Sequence, residues 1–400
     1  MIKKFPLLFV LFYCTTFYSQ NENVKPLDSV NKYLKKSKEV RFPKDKIDYL
    51  NKAFFFAKNL RSDSLIIDLS SELAYFNTLL DDKSAFEKAN NILLEIYKSK
   101  KDTKSLGFYY QNKGWYFENN ASIDSAYYFY NKAKNIFKKT KNQQLRAVYF
   151  DLLAINSYAK DYLGLEELAI EILNNENYKT DYRILGTSYD YLGTAAAKSK
   201  DYENAIKYHK KALNIVKKIP DEKTRKTQEI FKINNLSSFY IEYEKFEDAL
   251  QLINEVLKKN PKLKNTNTYL YSVLLLNKGI SELATGIKSK GLNNIKEALK
   301  IGRELKDPPI QIVALLELAM LYKKEKNISK AKNYIDNALV LTKKGNNREL
   351  EALKLSAEIY SGKESISFYK EYIVLQEKIE AAAQKRKNKF ARVRFETQKK

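Results

Sequence analysis

The sequence predicts an all-α protein built from consecutive pairs of helices. Apolar residues recur three or four positions apart through most of the chain, which is the spacing of one face of an α-helix. Residues that interrupt helices are scarce, with 11 glycines and 7 prolines among 400 residues. A hydrophobic content of 44%, with 30 tyrosines and 21 phenylalanines, supplies apolar surface for an extended core.

The clearest helix pair occupies residues 185–220, with a polar break at residues 198–201. Its apolar residues fall at helical spacing, namely Tyr189, Leu192, Gly193 and Ala196 in the first helix, and Tyr202, Ala205, Tyr208, Ala212 and Leu213 in the second. Small residues such as Gly193 and Ala205 let two helix backbones approach closely, while the tyrosines fill the wider gaps. We therefore predict a tightly packed helical hairpin here.

Similar hairpins recur along the chain. A small or apolar residue marks the first turns of each second helix, at Ala85, Ala126, Leu168, Ala205, Ala249, Gly291 and Ala331. These markers are spaced roughly 40 residues apart, and such self-similarity is the signature of a repeat architecture. Because each repeat contacts only its neighbours, an array of this length forms one continuous object rather than separate domains.

The repeats resemble the tetratricopeptide repeat (TPR), whose pattern is W-x2-L-G-x2-Y, then A-x3-F, then P. The corresponding residues are Tyr189-x2-Leu192-Gly193-x2-Ala196, then Ala205-x3-His209, then Pro220. The departures are Tyr for Trp, Ala for Tyr and His for Phe. The resemblance covers roughly residues 60–362 and implies an all-α, right-handed α-solenoid of about seven helix pairs.

The chain is predicted to have four parts. Residues 1–20 form a signal peptide, residues 21–60 form N-terminal capping helices, residues 61–362 form the TPR array, and residues 363–400 form a long basic C-terminal helix. The capping prediction rests on an apolar stripe that follows Pro43, formed by Ile47, Leu50, Phe54 and Phe55. Arrays need such caps because a terminal repeat otherwise exposes its apolar face.

The first twenty residues predict export to the periplasm. Lys3 and Lys4 precede an apolar run from Phe5 to Phe17, as in secretory signal peptides. The alternative is a retained anchor helix, which would keep the protein associated with a membrane. The single cysteine, Cys14, lies inside this segment, so the mature chain would have no disulfide and no reactive thiol. Lipidation of Cys14 is disfavoured by the bulky residue before it.

The first helix of each pair in TPR proteins usually lines a groove that binds a peptide or a protein partner. By position, this resemblance implies partner-binding roles for Asn112, Asn235 and Asn277, with Trp115, the only tryptophan, on the neighbouring strip. Amide side chains suit this role because they can hydrogen-bond an extended peptide without adding charge. The alternative is that these residues are merely solvated.

Enzyme chemistry finds no support in the sequence, and we predict neither a cofactor nor a metal site. The only histidine, His209, occupies a position where the repeat usually has an apolar ring, so we expect a packing role. Gly-rich phosphate loops and G-x-S-x-G elbows are absent. The net charge of +24 comes mainly from lysines on predicted solvated faces. It favours contact with an anionic membrane surface over nucleic-acid binding.

The C-terminal stretch lacks proline and glycine after Gly362. Its first half is expected to pack on the last repeat through Phe368, Tyr369, Tyr372, Ile373, Leu375, Ile379 and Ala382. Beyond Ala383 it becomes a basic surface with Lys385, Arg386, Lys387, Arg392 and Arg394, and a thin apolar line at Phe390, Val393 and Phe395. A helix that extends beyond the core it packs on is a cap, a coiled-coil stalk for self-association, or a tail.

Arg392, Arg394, Phe395 and Glu396 are also similar to the segment that follows exported TPR arrays in bacterial signalling regulators. There a stalk and one membrane span lead to a cytoplasmic output domain. This resemblance implies that the chain is the sensory part of an envelope signal-transduction system, without a span or output of its own, that binds a protein or peptide. The alternative is a free-standing periplasmic scaffold or adaptor.

Overall fold

A computed structural model describes residues 26–40, 42–342 and 347–398, so the predicted signal peptide lies outside the described residues. The described residues form 19 α-helices and one 3-10 turn, and no strand occurs among them. This confirms the predicted fold class, an all-α solenoid of TPR-like helix pairs. Within the same ranges, no helix combines the length and apolar character needed to cross a membrane.

The chain divides into two compact units between Val148 and Tyr149. The first unit contains three helix pairs: α1 (Pro26–Glu39) with α2 (Pro43–Asn59), α3 (Asp63–Leu79) with α4 (Lys83–Lys100), and α5 (Thr103–Asn119) with α6 (Ile123–Lys139). Its core includes the fully buried Val30, Leu50 and Ala53, which join α1 and α2 to the following repeat.

The second unit contains the remaining pairs. The helices are α7 (Leu145–Tyr158), most of which belongs to this unit, α8 (Tyr162–Leu173), α9 (Tyr182–Lys198), α10 (Tyr202–Val216), α11 (Glu222–Glu242), α12 (Phe246–Lys259), the single turn α13 (Leu263–Thr266), α14 (Thr268–Ala284), α15 (Lys288–Glu304), α16 (Pro308–Lys324), α17 (Ile328–Thr342), α18 (Asn347–Ile359) and α19 (Gly362–Gln398). The 3-10 turn Glu176–Tyr178 lies between α8 and α9.

The predicted repeat markers all lie in second helices, at α4, α6, α8, α10, α12, α15 and α17. Ala126, Ala205, Ala249 and Ala331 have no exposed surface, because the first helix of the same pair packs directly against them. The repeat spacing was therefore a reliable guide to which helices pair.

The two helices of most pairs are joined by a short turn of one design. A residue in the left-handed conformation, such as Lys160 or Lys200, ends the first helix. The next residue caps the second helix: the Asp161 carboxylate accepts from the Gly164 N–H at 3.2 Å, and the Asp201 carboxylate accepts from the Asn204 N–H at 3.3 Å. Asp82 occupies the same position before α4 and accepts from the Ala85 N–H at 2.9 Å, so an aspartate fixes where α4, α8 and α10 begin.

The two ends of the chain depart from the predicted packing. In α2, Leu50 is buried as expected, but Phe55 is 62% exposed and belongs to the solvent face. In α19, Tyr369 and Ile373 are exposed, whereas Phe390 is fully buried and Val393 is 5% exposed. The expectation that the first half of α19 packs is met in part, since Phe368, Tyr372, Leu375, Ile379 and Ala382 are partly buried. The expectation that the second half extends beyond the core was wrong, because Phe390 and Val393 are buried within the second unit.

Enlarging a repeat marker is expected to separate a helix pair. Ala249 of α12 is fully buried in a cluster with Leu236, Phe239 and Tyr240. Ala249→Leu should lower the free energy of unfolding by about 1–3 kcal/mol, because the extra methylenes force the helices apart. Urea denaturation followed by circular dichroism measures the change. The matched control is Gln251→Leu, which adds the same side chain at an exposed position of α12 and should change stability by no more than about 0.5 kcal/mol.

Candidate partner-binding site

Asn112 lies inside the core of the first unit. Its side chain is fully buried and accepts a hydrogen bond from the Ser71 hydroxyl at 3.0 Å. Its amide nitrogen donates to the Asn90 side-chain oxygen at 2.9 Å. The expectation that Asn112 faces a ligand is corrected: its donor and acceptor join α5 to α3 and α4, because the first helices of successive repeats touch along this strip.

Trp115 is only partly buried and lies on the next strip of the same helix. Its ring meets Tyr75 edge-on, with centroids 4.9 Å apart, and Tyr75 is 36% exposed. The two rings form an aromatic surface between α3 and α5 that a partner can reach. Of the site residues predicted in the first unit, Trp115 is the one whose placement suits binding.

Asn277 repeats the arrangement of Asn112 in the second unit. It is 9% exposed, and its amide nitrogen donates to the Asn234 oxygen at 3.1 Å and to the Ser238 hydroxyl at 2.9 Å. These bonds join α14 to α11, the first helix of the preceding repeat. Asn277 therefore links repeats rather than lining an open groove, which corrects the second of the predicted amides.

Asn235 is exposed, but its amide nitrogen donates to the carboxylate of Asp190 at 2.8 Å. Asp190 is 5% exposed and also accepts from the Lys232 ammonium at 2.8 Å. Its other oxygen lies 3.0 Å from Nδ1 of His209, which is 4% exposed. These four residues, the Asp190 cluster, join α9, α10 and α11.

The electrostatics of the Asp190 cluster favour the ionised carboxylate. Burial by itself raises the pKa of Asp190, but the Lys232 charge and the hydrogen bond from His209 outweigh it, so the pKa lies below its ordinary value. Both carboxylate oxygens of Asp190 are bonded to side chains of the protein, which indicates a structural role for the cluster. The packing role expected for His209 fits this geometry, since Gly193 leaves room for the imidazole: a Cβ there would lie 2.8 Å from the ring.

Two adjoining cavities open on the second unit. The basic cavity has a volume of about 450 Å³ and is lined by Lys160, Tyr162, Lys198, Leu350, Glu351, Lys354 and Tyr372. The Glu317 cavity has a volume of about 330 Å³ and is lined by Val313, Leu316, Glu317, Met320, Arg348, Glu351, Lys354, Leu355 and Glu358. Glu351 and Lys354 of α18 line both cavities.

The two cavities differ in charge. Three lysines reach the basic cavity, and one of them, Lys198, is paired with Glu242 of α11. The Glu317 cavity has three carboxylates, two cations (Arg348 and Lys354) and an apolar wall. Sequence reasoning missed both cavities because each lies between different helices: α16 and α18 line the Glu317 cavity, and the basic cavity combines residues 160–198 with residues 350–372. The signal that was present is the charged Glu317 within the otherwise apolar helix α16.

The predicted basic surface at the end of α19 is only partly exposed. Lys385, Lys387 and Arg392 face solvent, and Arg386 is partly buried. The Arg394 guanidinium contacts the Asp161 carboxylate at 2.5 Å and the Glu167 carboxylate at 3.3 Å, and its side chain is 17% exposed. Arg394 is therefore a docking residue rather than a surface cation, which corrects that part of the prediction.

No group of acidic, histidine or cysteine side chains suited to holding a metal ion occurs among the residues that the structure describes. No protein-family model matches the sequence, and no curated protein matches it. Solved structures do match the fold.

The quorum sensor NprR from B. thuringiensis, in its apo form, matches with a TM-score of 0.62 at 14% identity, over 87% of this chain and 97% of that chain. NprR in complex with its cognate peptide NprX matches with a TM-score of 0.54 at 13% identity, over 88% of this chain and 98% of that chain. The Rap conjugation gene regulator of plasmid pLS20, in complex with the Phr* peptide, matches with a TM-score of 0.55 at 13% identity, over 89% of this chain and 96% of that chain. The chain is a TPR-like repeat protein.

Proposed function

We propose that this protein is a non-enzymatic binding module. Its ligand is a peptide, or an extended segment of a protein, that occupies both the basic cavity and the Glu317 cavity. The observation that carries the proposal is the junction of two cavities, one richer in lysines and one richer in carboxylates, each with apolar side chains, which share Glu351 and Lys354. Concave sites with apolar walls and a few charged groups are the usual form of ligand sites. Support also comes from NprR and the Rap regulator, which share this fold and bind peptides.

We further propose that the module is exported and acts as the sensory part of an envelope signal-transduction system, with a free-standing scaffold or adaptor as the alternative. The signal-peptide pattern of residues 1–20 supports export. The exposed Lys385, Lys387 and Arg392 support contact with an anionic membrane surface. The exposed stretch of α19 that includes Ile373 and Val374 is where a stalk would self-associate.

Peptide binding is tested by selection from a displayed library of random heptapeptides, followed by fluorescence polarisation with the selected sequences. Lys354→Glu should weaken the binding of selected peptides by at least about tenfold, because Lys354 lines both cavities and its charge is reversed. Lys296→Glu, at an exposed site on α15, is the matched control and should leave affinity unchanged. Selection of no peptide above background, or equal affinity for Lys354→Glu and the wild type, would contradict the proposal.

Export is tested separately by N-terminal sequencing of the protein recovered from its native host. We expect the mature chain to begin shortly after residue 20, because the signal peptide is removed on translocation. A mature protein that still begins at Met1 would count against cleavage, and its recovery from the cytoplasm would count against export itself. Neither outcome bears on peptide binding.

A further inference from the structure

The wall of the Glu317 cavity is mainly aliphatic. Val313, Leu316 and Met320 lie on the same helix as Glu317, and Leu355 faces them from α18. Leu316 and Leu355 are buried, while Met320 is 42% exposed. The cavity thus has an apolar floor and an open side where a ligand can enter.

The Glu317 carboxylate has no hydrogen bond and no ion pair with any described residue. Two neighbouring cations are already paired, since Arg348 contacts Glu351 at 2.6 Å and Lys323 contacts Glu358 at 2.6 Å. The third cation near the cavity, Lys354, is an exposed residue of α18. Glu317 is therefore the acidic group of the cavity whose charge is left unmatched by its surroundings.

Ionising a carboxylate that has no counter-charge in an apolar wall costs free energy. Burial raises the pKa of Glu317 to about 7; the Arg348 charge opposes this rise and the Glu351 charge adds to it. Since a glutamate in water has a pKa of 4.5, folding keeps this side chain partly protonated at neutral pH. A cation that enters the cavity would relieve this cost by pairing with the ionised form.

We propose that the Glu317 cavity binds a lysine or arginine side chain of the peptide, with its ammonium or guanidinium on Glu317 and its methylenes along Leu316 and Met320. This inference rests on the proposed peptide-binding function. A long cationic side chain fits both features of the cavity because its stem is apolar and its end is charged. An aliphatic side chain would leave the carboxylate unpaired, and an anionic one would be repelled by it.

The net charge of the protein cannot cause a preference for lysine or arginine in the peptide. The protein has a formal charge of +24, so its overall field repels cationic peptides. A preference for lysine or arginine at one peptide position must therefore come from a local acidic site. The same field favours anionic groups elsewhere in the peptide, where the basic cavity can hold them.

The experiment repeats the heptapeptide selection at pH 8 on three proteins: the wild type, Glu317→Gln and Glu304→Gln. Glu317→Gln keeps the shape of the side chain and removes its charge. Glu304→Gln is the matched control, because Glu304 is exposed at the end of α15. We expect lysine or arginine to be enriched at one fixed position for the wild type and the control, and to be unenriched there for Glu317→Gln.

A selected peptide and its analogue with norleucine in place of the cationic residue supply a second readout. Wild-type affinity for the cationic peptide should fall about tenfold between pH 8 and pH 6, because protonation of a carboxyl with a pKa near 7 removes the attraction. Affinity for the norleucine peptide, and the affinity of Glu317→Gln for either peptide, should change little over this range.

The outcomes separate this inference from the proposed function. Selected peptides without a fixed cationic position, or the same cationic position with Glu317→Gln, would overturn the inference while peptide binding stands. A cationic peptide whose wild-type affinity is independent of pH between 6 and 8 would also overturn it. Selection of no peptide at all would contradict both the proposed function and this inference.

Discussion

Replacement of Asp190 by alanine is expected to lower the free energy of unfolding by about 3–5 kcal/mol. The reason is that Lys232 is 5% exposed and would keep a buried positive charge with no counter-charge. His209 and Asn235 would lose their acceptor at the same time. Guanidinium denaturation followed by circular dichroism measures the loss.

Two further variants identify the cause of the loss. The double variant Asp190→Leu/Lys232→Met removes both charges and should recover most of the stability, since a buried ion pair replaced by apolar groups of similar volume is often neutral. Asp190→Asn should remain strongly destabilised, because the shape is kept and the charge is not. If the double variant is as unstable as Asp190→Ala, the loss of the acceptor for His209 and Asn235, rather than the buried charge of Lys232, explains the effect.

Acidification should reproduce part of this loss in the wild type. The pKa of Asp190 is lowered in the folded state, so its contribution to stability is present above the unfolded value of 3.8 and is lost as pH falls below it. Glu317 acts in the opposite direction, because its raised pKa makes folding less favourable as pH rises from 4.5 towards about 7. The two contributions therefore change over different pH windows.

The repeat array could be predicted from sequence because its signal is local and periodic. Ala126, Ala205 and Ala249 are separated by two repeats and one repeat respectively, and each is small because a neighbouring helix packs closely there. The same periodicity identified Asn112 and Asn277 as equivalent positions. It could not show that this face meets the first helix of the preceding repeat, because helical periodicity gives the direction of a side chain and not its neighbour.

The polar contacts that depend on distant partners were not predictable. Asp190 and Lys232 lie in different repeats, and nothing local distinguishes them from solvated charges of the same helices. Glu317 gave a weak signal, as a carboxylate in an apolar helix. For the docking of α19 the signal was the thin apolar line that includes Phe390 and Val393, but its partner was not predictable, since Arg394 and Asp161 are far apart in sequence.

Arg394→Ala is expected to release the end of α19 from the second unit and to cost about 2–4 kcal/mol. Asp161 is 2% exposed and would lose the cation that neutralises it, although it would still accept from the Gly164 N–H. The guanidinium lies directly over Gly164, where an added Cβ would be 2.3 Å from Nη1. Gly164→Ala should therefore loosen the same contact from the other side.

Hydrogen exchange over residues 386–398 measures the release of the end of α19, and guanidinium denaturation measures the loss of stability. In Arg394→Ala and Gly164→Ala, exchange at this end of α19 should become faster, because Phe390 and Val393 lose their buried positions. Arg392→Ala is the matched control: Arg392 is 67% exposed and forms only an i,i+4 pair with Glu396, so stability should change by less than about 0.5 kcal/mol. Unchanged exchange in both docking variants would show that apolar burial at Phe390 and Val393 holds the helix without the ion pair.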